Sequence, residues 1–354
     1  MTLNTLRAVI VAASFATLAA WSTTFAAASA QEISEPEVPL GLPPIQWPED
    51  NPYTAEKANL GRLLYFDKRL SSDGTVSCAS CHEVDKAFTD SSPVSVGIGN
   101  QKGGRSAPTV INRAYSTEQF WDGRAPSLEE QAKGPLANPI EMTIEREEGK
   151  AHTQTVKRIN DIPGYVKLFK KVFGESEITI DLVAKAIATF ERTVLSGNSA
   201  FDRYNSGEKD AMSEPQVRGM KVFFSKKAAC DSCHLGFNFT DGSYMNIGIG
   251  MDKADPDLGR FLVTKREEDK GAFKTPTLRE IEHTAPYMHD GRFKTLEETV
   301  EHYDKGGIPN PHLSERMVPL NLTKQEKADL VAFMKALSGE GWQHIKVPEA
   351  TEFP

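Results

Sequence analysis

A length of 354 residues, 39% hydrophobic and 25% charged, suits a soluble protein of about two domains, since domains run to roughly 100–200 residues each. A formal charge of −8 argues against a nucleic-acid partner and says little about which protein docks. Beyond the amino terminus no run approaches the ~18 apolar residues of a membrane span, so no stable membrane insertion is expected.

In chain order, Arg7 precedes an apolar stretch from Ala8 to Ala20 and a small-x-small pattern, Ala28-Ser29-Ala30. Residues 1–30 are expected to be a secretory signal cleaved near Ala30, which in bacteria addresses the chain to the periplasm. A retained membrane anchor is the competing reading, opposed by Ser14, Thr17, Ser22, Thr23 and Thr24, which interrupt the apolar run. Arg7 is the one charged side chain of the segment, so its removal leaves a formal charge of −9. Residues 31–53 carry Pro36, Pro39, Pro43, Pro44, Pro48 and Pro52 and read as an extended arm.

Helical periodicity begins at Tyr53 and recurs over Ile180–Leu195, through Leu182, Val183, Ile187, Phe190 and Val194. Another helix is predicted from about Lys324 to Leu337, opened by a capping box of Thr323 and Glu326 and ended by Gly339. No alternating β-branched run is long enough to propose a sheet. The expected class is mainly α, with long loops.

An internal repeat organises the chain. Ala107-Pro108-Thr109-Val110 matches Thr275-Pro276-Thr277-Leu278, and Asp122-Gly123-Arg124 matches Asp290-Gly291-Arg292 at the same offset of 168 residues. Ser127-Leu128-Glu129-Glu130 likewise matches Thr295-Leu296-Glu297-Glu298. Upstream, Gly61-Arg62-Leu63-Leu64-Tyr65-Phe66 echoes Gly219-Met220-Lys221-Val222-Phe223-Phe224. Two related domains are expected, 31–205 and 206–354, with the boundary in the polar stretch Ser196–Glu214.

Each half holds two of the four cysteines, as Cys78-Ala79-Ser80-Cys81-His82 and Cys230-Asp231-Ser232-Cys233-His234. In a CxxCH motif both thiols add to haem vinyl groups and the histidine lies beneath the iron, so the spacing is chemically restrictive. Two covalently attached haem c groups are expected in cytochrome c-like domains, with His82 and His234 as proximal ligands. A disulfide framework or a zinc site from the same residues is the competing reading. The sixth coordination position then separates electron transfer from catalysis, because an iron capped on both faces has no room for substrate.

With these motifs the chain resembles the bacterial dihaem cytochrome c peroxidase and MauG superfamily over essentially all of the mature sequence. The matching residues also include Phe120-Trp121-Asp122-Gly123-Arg124-Ala125, Gln131, Gly134-Pro135, Asn138-Pro139-Ile140-Glu141-Met142 and Ala285-Pro286-Tyr287-Met288-His289-Asp290-Gly291. The resemblance implies that the first haem reacts with hydrogen peroxide, the second relays electrons, and calcium lies between the domains. It places the second distal ligand at Tyr303, a position usually methionine in the peroxidases and tyrosine in MauG. A tyrosine packed in the core is the alternative, with Met288, Met317 and Met334 as fallback ligands. The repeat offset sends Tyr303 back to Pro135, which has no donor side chain, and no histidine occurs between His82 and His152. Where classical members of the family place a distal histidine, this chain reads Val96-Gly97-Ile98-Gly99-Asn100-Gln101, so the first iron is expected to be open or water-bound.

Glu141 matches the family's catalytic glutamate, and a carboxylate beside an open iron face could move the proton that peroxide cleavage requires. A solvated surface glutamate is the bland alternative. Gln131 is a weaker candidate for the same pocket. Trp121 matches a tryptophan between the haems and could equally be packed core. Thr284 and Pro286 match positions whose backbone oxygens hold calcium, with Ser106 where an asparagine is expected and Asn112 nearby.

The tyrosine at 303 implies a MauG-like enzyme, since a phenolate oxygen is a hard ligand that lowers the haem potential. Oxidising equivalents from peroxide would be shared between the haems on His82 and His234 and passed to a protein substrate, a small cytochrome c or a cupredoxin. MauG has a surface tryptophan two residues before its second CxxCH; here that residue is Ala228, so the same protein substrate is not expected. The runner-up is a classical cytochrome c peroxidase that detoxifies hydrogen peroxide. A non-catalytic dihaem electron carrier is the reading from another class.

Overall fold

The computed structural model describes residues 35–174 and 177–354; the segment read as an export signal lies outside them. None of the described helices is long and apolar enough to cross a membrane. The helices are α1 (Ala55–Phe66), α2 (Leu128–Leu136), α3 (Glu148–Asn160), α4 (Pro163–Phe173), α5 (Ile180–Glu191), α6 (Ala200–Ser206), α7 (Glu214–Phe223), α8 (Phe261–Thr264), α9 (Leu296–Asp304) and α10 (Lys324–Lys335). Among the described residues the sheet content is one antiparallel pair, β1 (Tyr244–Met245) and β2 (Phe273–Lys274), with Tyr244 opposite Lys274. This mainly helical class is the one expected.

Helix starts follow local chemistry. Hydroxyls of Thr54, Ser127, Thr179, Thr295 and Thr323 each accept a first-turn backbone N–H that has no partner inside its helix. The box of Thr323 and Glu326 forms, with each side chain bonded to the other's backbone N–H.

Two predicted helix ends differ from the observed ones. α5 stops at Glu191, yet Val194 and Leu195 continue the apolar pattern because both are buried in the turn that follows. The periodicity there reports burial rather than helix. α10 stops at Lys335, and Gly339 is not its cap. A Cβ on Gly339 would collide with the Gly197 carbonyl oxygen, so the glycine permits a close crossing of two loops. The arm from residue 35 to Thr54 has no helix, as expected, and is tied down by Tyr115 Oη donating to Pro43 O at 2.8 Å and Asn198 N to Leu40 O at 2.7 Å.

Two crossed helix pairs carry the packing, α1 on α5 and α7 on α10. A side chain on Gly61 would strike the Ala186 carbonyl, and one on Gly219 the Asp329 carbonyl. These glycines let the axes approach, so that Phe190 packs 5.1 Å from Tyr65 and Phe333 packs 5.1 Å from Phe223, ring centre to ring centre. Each fully buried phenylalanine contributes about 1.5–3 kcal/mol relative to exposure. Around each pair lies a separate cluster of buried apolar residues, one including Leu64, Ile187 and Phe190, the other Leu296, Leu330 and Phe333. Trp342 and Ile345 return to the first cluster from the carboxy terminus.

Other features recur at the offset relating Asp122 to Asp290. Helix α9 has the bounds of α2 displaced by that amount, with Ser127 and Thr295 as caps. Asn112 and Glu280 both have φ of 60°, and the bridge of Gln119 with Ala125 recurs as Tyr287 with Phe293.

Candidate active site

Each CxxCH motif is a single tight turn. His82 N donates to Cys78 O at 3.1 Å, and His234 N to Cys230 O at 3.0 Å, which sets each histidine under its own pair of thiols. The four thiols are unpaired. Burial pushes the Cys81 thiol up to about 11 and the Cys230 thiol up to about 12, and raises Cys78 further. His82 Nδ1 lies 3.1 Å from Phe88 O, and His234 Nδ1 lies 3.0 Å from Phe239 O. A carbonyl partner makes Nδ1 the donor and leaves the Nε2 lone pair to a metal. Burial lowers both imidazole pKa values, which favours the neutral ring that ligation needs. The chemistry and placement of these donors fit a covalently held haem in each half.

Beside the second motif lies a cavity of about 250 Å³. Cys230, Cys233, His234 and Tyr303 all line it. Tyr303 projects from α9, and burial, reinforced by the two cysteine thiols, lifts its hydroxyl pKa well above the ordinary value. Met288, Met317 and Met334 share the cavity, so the fallback ligands are brought together with Tyr303 rather than excluded. Ala228 is buried on the same wall.

The first half is arranged differently. Pro135 lies inside α2, at the position corresponding to Tyr303 in α9. The loop without a histidine, residues 96–102, packs on the turn that carries Glu141. Ile98 N donates to Glu141 O at 3.1 Å, and Gln101 Nε2 donates to Pro139 O at 2.9 Å. A Cβ on Gly97 would collide with Ile140 O, so this contact requires glycine. Glu141 is half-buried; Asn138 Nδ2 donates to its Oε1 at 2.6 Å. Burial raises the Glu141 pKa, while the Arg124 charge and the Asn138 bond pull it back. Its charge also acts on Cys78 and Cys81, which places the carboxylate near the first haem attachment. Gln131 is half-buried on α2, one helical turn before Pro135.

Trp121 lines the second cavity, with Nε1 donating to Ser106 O at 2.9 Å and its own carbonyl accepting from Lys274 N at 2.8 Å. Thr284, Pro286 and Ser106 line that cavity too. Asn112 is spent elsewhere: its amide donates to Ser196 O at 2.9 Å and accepts from Ser196 N at 2.9 Å.

Several polar groups escaped the sequence reading. Buried Lys274 is pushed down to about 6 by burial and by the Arg113 charge, and Arg113 is itself lowered by burial to about 10. Glu191 is buried at the end of α5, and burial pushes it up to about 8. Asn138 and Arg124 lay within motifs already singled out and were legible there. Arg113, Glu191 and Lys274 carried no local signal, because partners distant in sequence enclose them.

A family model described as di-haem cytochrome c peroxidase matches residues 55–210. Methylamine utilization protein MauG of Methylorubrum extorquens is 40% identical over 323 residues, covering 90% of this chain and 89% of the relative. The chain belongs to the dihaem cytochrome c peroxidase and MauG family. Cytochrome c551 peroxidase of Nitrosomonas europaea is 39% identical over 320 residues, 89% of this chain and 88% of that one. The crystal structure of a MauG-like protein associated with microbial copper homeostasis superposes with a TM-score of 0.79 at 35% identity, covering 87% of this chain and 96% of that one. The chain is thus a peroxidase of a family with two haem groups, and the fold is that of a MauG-like dihaem peroxidase.

Proposed function

We propose that this peroxidase is a periplasmic, MauG-like enzyme that takes hydrogen peroxide at an open site beside Glu141 and delivers the oxidising equivalents to a protein substrate or a small redox protein. The observation that carries the reading is the asymmetry at corresponding helix positions: Tyr303 faces the cavity of His234, and Pro135 stands at its counterpart. His82 and the thioethers of Cys78 and Cys81 would hold the first haem; His234, Cys230, Cys233 and Tyr303 would hold the second. When bound, the haem iron supplies the electron-accepting and electron-donating centre for peroxide reduction.

The chain's own residues manage the protons. Glu141 takes a proton as carboxylate and returns it as acid, and Asn138 fixes which of its oxygens stays engaged. The loop over residues 96–102 closes on the Glu141 turn and offers no histidine. Thr284, Pro286 and Ser106 line the same cavity as Trp121, and oxygen donors of this kind suit a hard cation such as calcium. Export rests on the signal-like residues 1–30 and on the c-type attachment motifs.

A second reading is favoured by Met288, Met317 and Met334 on the cavity of His234, because a thioether ligand there belongs with a classical cytochrome c peroxidase. Mixing the fully ferric protein with one equivalent of peroxide separates the two. The MauG-like reading expects an immediate spectral change at both haems. The classical reading expects one only after a haem has been reduced, and that result would overturn the proposal.

A further inference from the structure

Next to Trp121 lies a polar knot that the proposed chemistry does not use. Tyr244 Oη donates to Glu118 Oε2 at 2.5 Å. Arg260 lies over the Tyr244 ring, 4.1 Å from its centre. The same guanidinium reaches Glu118 Oε1 at 3.2 Å and the carbonyls of Asp122 and Gly123 at 2.9 Å each. Gly123 has a φ of 68°, and a Cβ there would fall on the phenolic oxygen of Tyr244. Tyr244 is therefore seated on the residue two positions beyond Trp121. It is also paired in the β-ladder with Lys274, whose N–H donates to the Trp121 carbonyl at 2.8 Å.

We propose that Tyr244 is a one-electron oxidation site, fed from the Trp121 segment, through which a peroxide-derived oxidising equivalent leaves for the protein surface. The inference rests on the peroxide reading above. A phenol is hard to oxidise while it keeps its proton, so a useful redox tyrosine needs a base at hydrogen-bond distance. Glu118 is that base. Burial and the carboxylate hold the Tyr244 hydroxyl protonated, so electron and proton must leave together.

In the forward step Tyr244 gives one electron to the oxidised centre and its hydroxyl proton to Glu118 Oε2. A neutral phenoxyl and a carboxylic acid remain. A reductant at the surface then supplies an electron, and the proton returns. Reducing one hydrogen peroxide to two waters consumes two electrons and two protons, so each passage through Tyr244 accounts for one of the two equivalents. The Glu118 side chain is 35% exposed, which opens this end of the path to solvent and to a donor.

Four other tyrosines lack the combination. Tyr65, Tyr115 and Tyr287 donate to the carbonyls of His82, Pro43 and Ile281, which cannot take up a proton at neutral pH. Tyr165 donates to Asp67 at 2.7 Å, but Arg69 engages both oxygens of that carboxylate and the pair belongs to the core around α4.

The test is electron paramagnetic resonance of the holoenzyme frozen after peroxide addition without reductant, grown with ordinary or ring-deuterated tyrosine. A radical signal that narrows on deuteration and is lost in Tyr244→Phe supports the proposal. Glu118→Gln keeps the phenol but removes the base, and its expected result is the same loss. A tyrosyl signal unchanged in Tyr244→Phe, a signal insensitive to deuteration, or peroxide consumption with no radical each overturns the inference while leaving the peroxide reading intact. A protein inert to peroxide before and after reduction overturns both.

Discussion

Asn138 Nδ2 and Glu141 Oε1 are 2.6 Å apart within one turn of chain, so the carboxylate proposed to handle peroxide protons is held by a neighbour three residues away. Three backbone N–H groups, those of Glu141, Met142 and Thr143, close on the carbonyl of the same Asn138. These bonds define the shape of the turn. Glu141→Gln keeps the shape and removes the titratable proton. The expected outcome is a fall of about 10²–10⁴-fold in the rate of peroxide reaction with both haems still attached, the usual weight of general acid-base catalysis. Stopped-flow absorbance measures it, and an undiminished rate would remove Glu141 from the mechanism.

The pH dependence of the same step has a defined sign. The base must be ionised to take a proton, so activity is present above the Glu141 pKa and lost as pH falls through it. Burial has raised that pKa above the ordinary carboxylate value, while Arg124 and Asn138 hold it down. Asn138→Ala deletes a bond that favours the carboxylate, and the acid limb of kcat/KM should move to higher pH. A limb that moves to lower pH, or stays in place, would contradict the assignment.

The parts of this site that could be read in the sequence are those written in covalent spacing, in the repeat or in motifs shared with the family. CxxCH dictates its own geometry, the family resemblance points at Tyr303, and the offset from Asp122 to Asp290 carries that position back to Pro135. Side chains whose meaning comes from burial could not be read. Glu191 and Lys274 look like ordinary surface charges in a sequence and are enclosed by residues far away along the chain. The ends of α5 and α10 were misplaced for a related reason: Val194, Leu195 and Leu337 stay buried after the helix has ended, so apolar period and helix part company.

The close crossings of α1 with α5 and of α7 with α10 make a paired stability prediction. Gly61→Ala and Gly219→Ala each place a methyl against a backbone carbonyl that cannot rotate away. Both should destabilise the fold by about 1–3 kcal/mol or more, as overpacked sites do. Thermal unfolding of the two variants checks this, and a rise in Tm for either would show that the helices can separate without cost.

Arg279 and Asp202 form a buried pair with side chains 0% and 3% exposed, joined by two bonds of 2.7 and 2.9 Å. Arg279→Leu strands the carboxylate, and a loss of about 3–5 kcal/mol is expected. Burial alone would raise the Asp202 pKa, but Arg279 and Ser199 hold it below the ordinary value. The stability this contributes is present above the unfolded aspartate pKa and is lost as pH falls through the folded one. Denaturant titrations of wild type and Arg279→Leu should therefore converge as the pH drops below about 4, the ordinary aspartate range.

Tyr303 offers the sharpest division between the two readings of the second centre. Its hydroxyl shares a cavity with His234 and three methionines, and burial raises its pKa above the ordinary value. An iron bound there would have to offset that burial to hold the oxygen as phenolate. A phenolate in turn stabilises the oxidised metal more than a thioether does, because the hard anion prefers the higher charge. Tyr303→Met should therefore raise the potential of the second haem in a spectroelectrochemical titration, and the diferric protein should lose its immediate response to peroxide. Tyr303→Phe separates ligand from packing, since it keeps the ring and deletes only the oxygen. If Tyr303 is a ligand, both variants change the low-spin spectrum of the second haem. If Met288, Met317 or Met334 is the ligand, Tyr303→Phe leaves the spectrum and the potential where they were, and the enzyme belongs with the classical peroxidases.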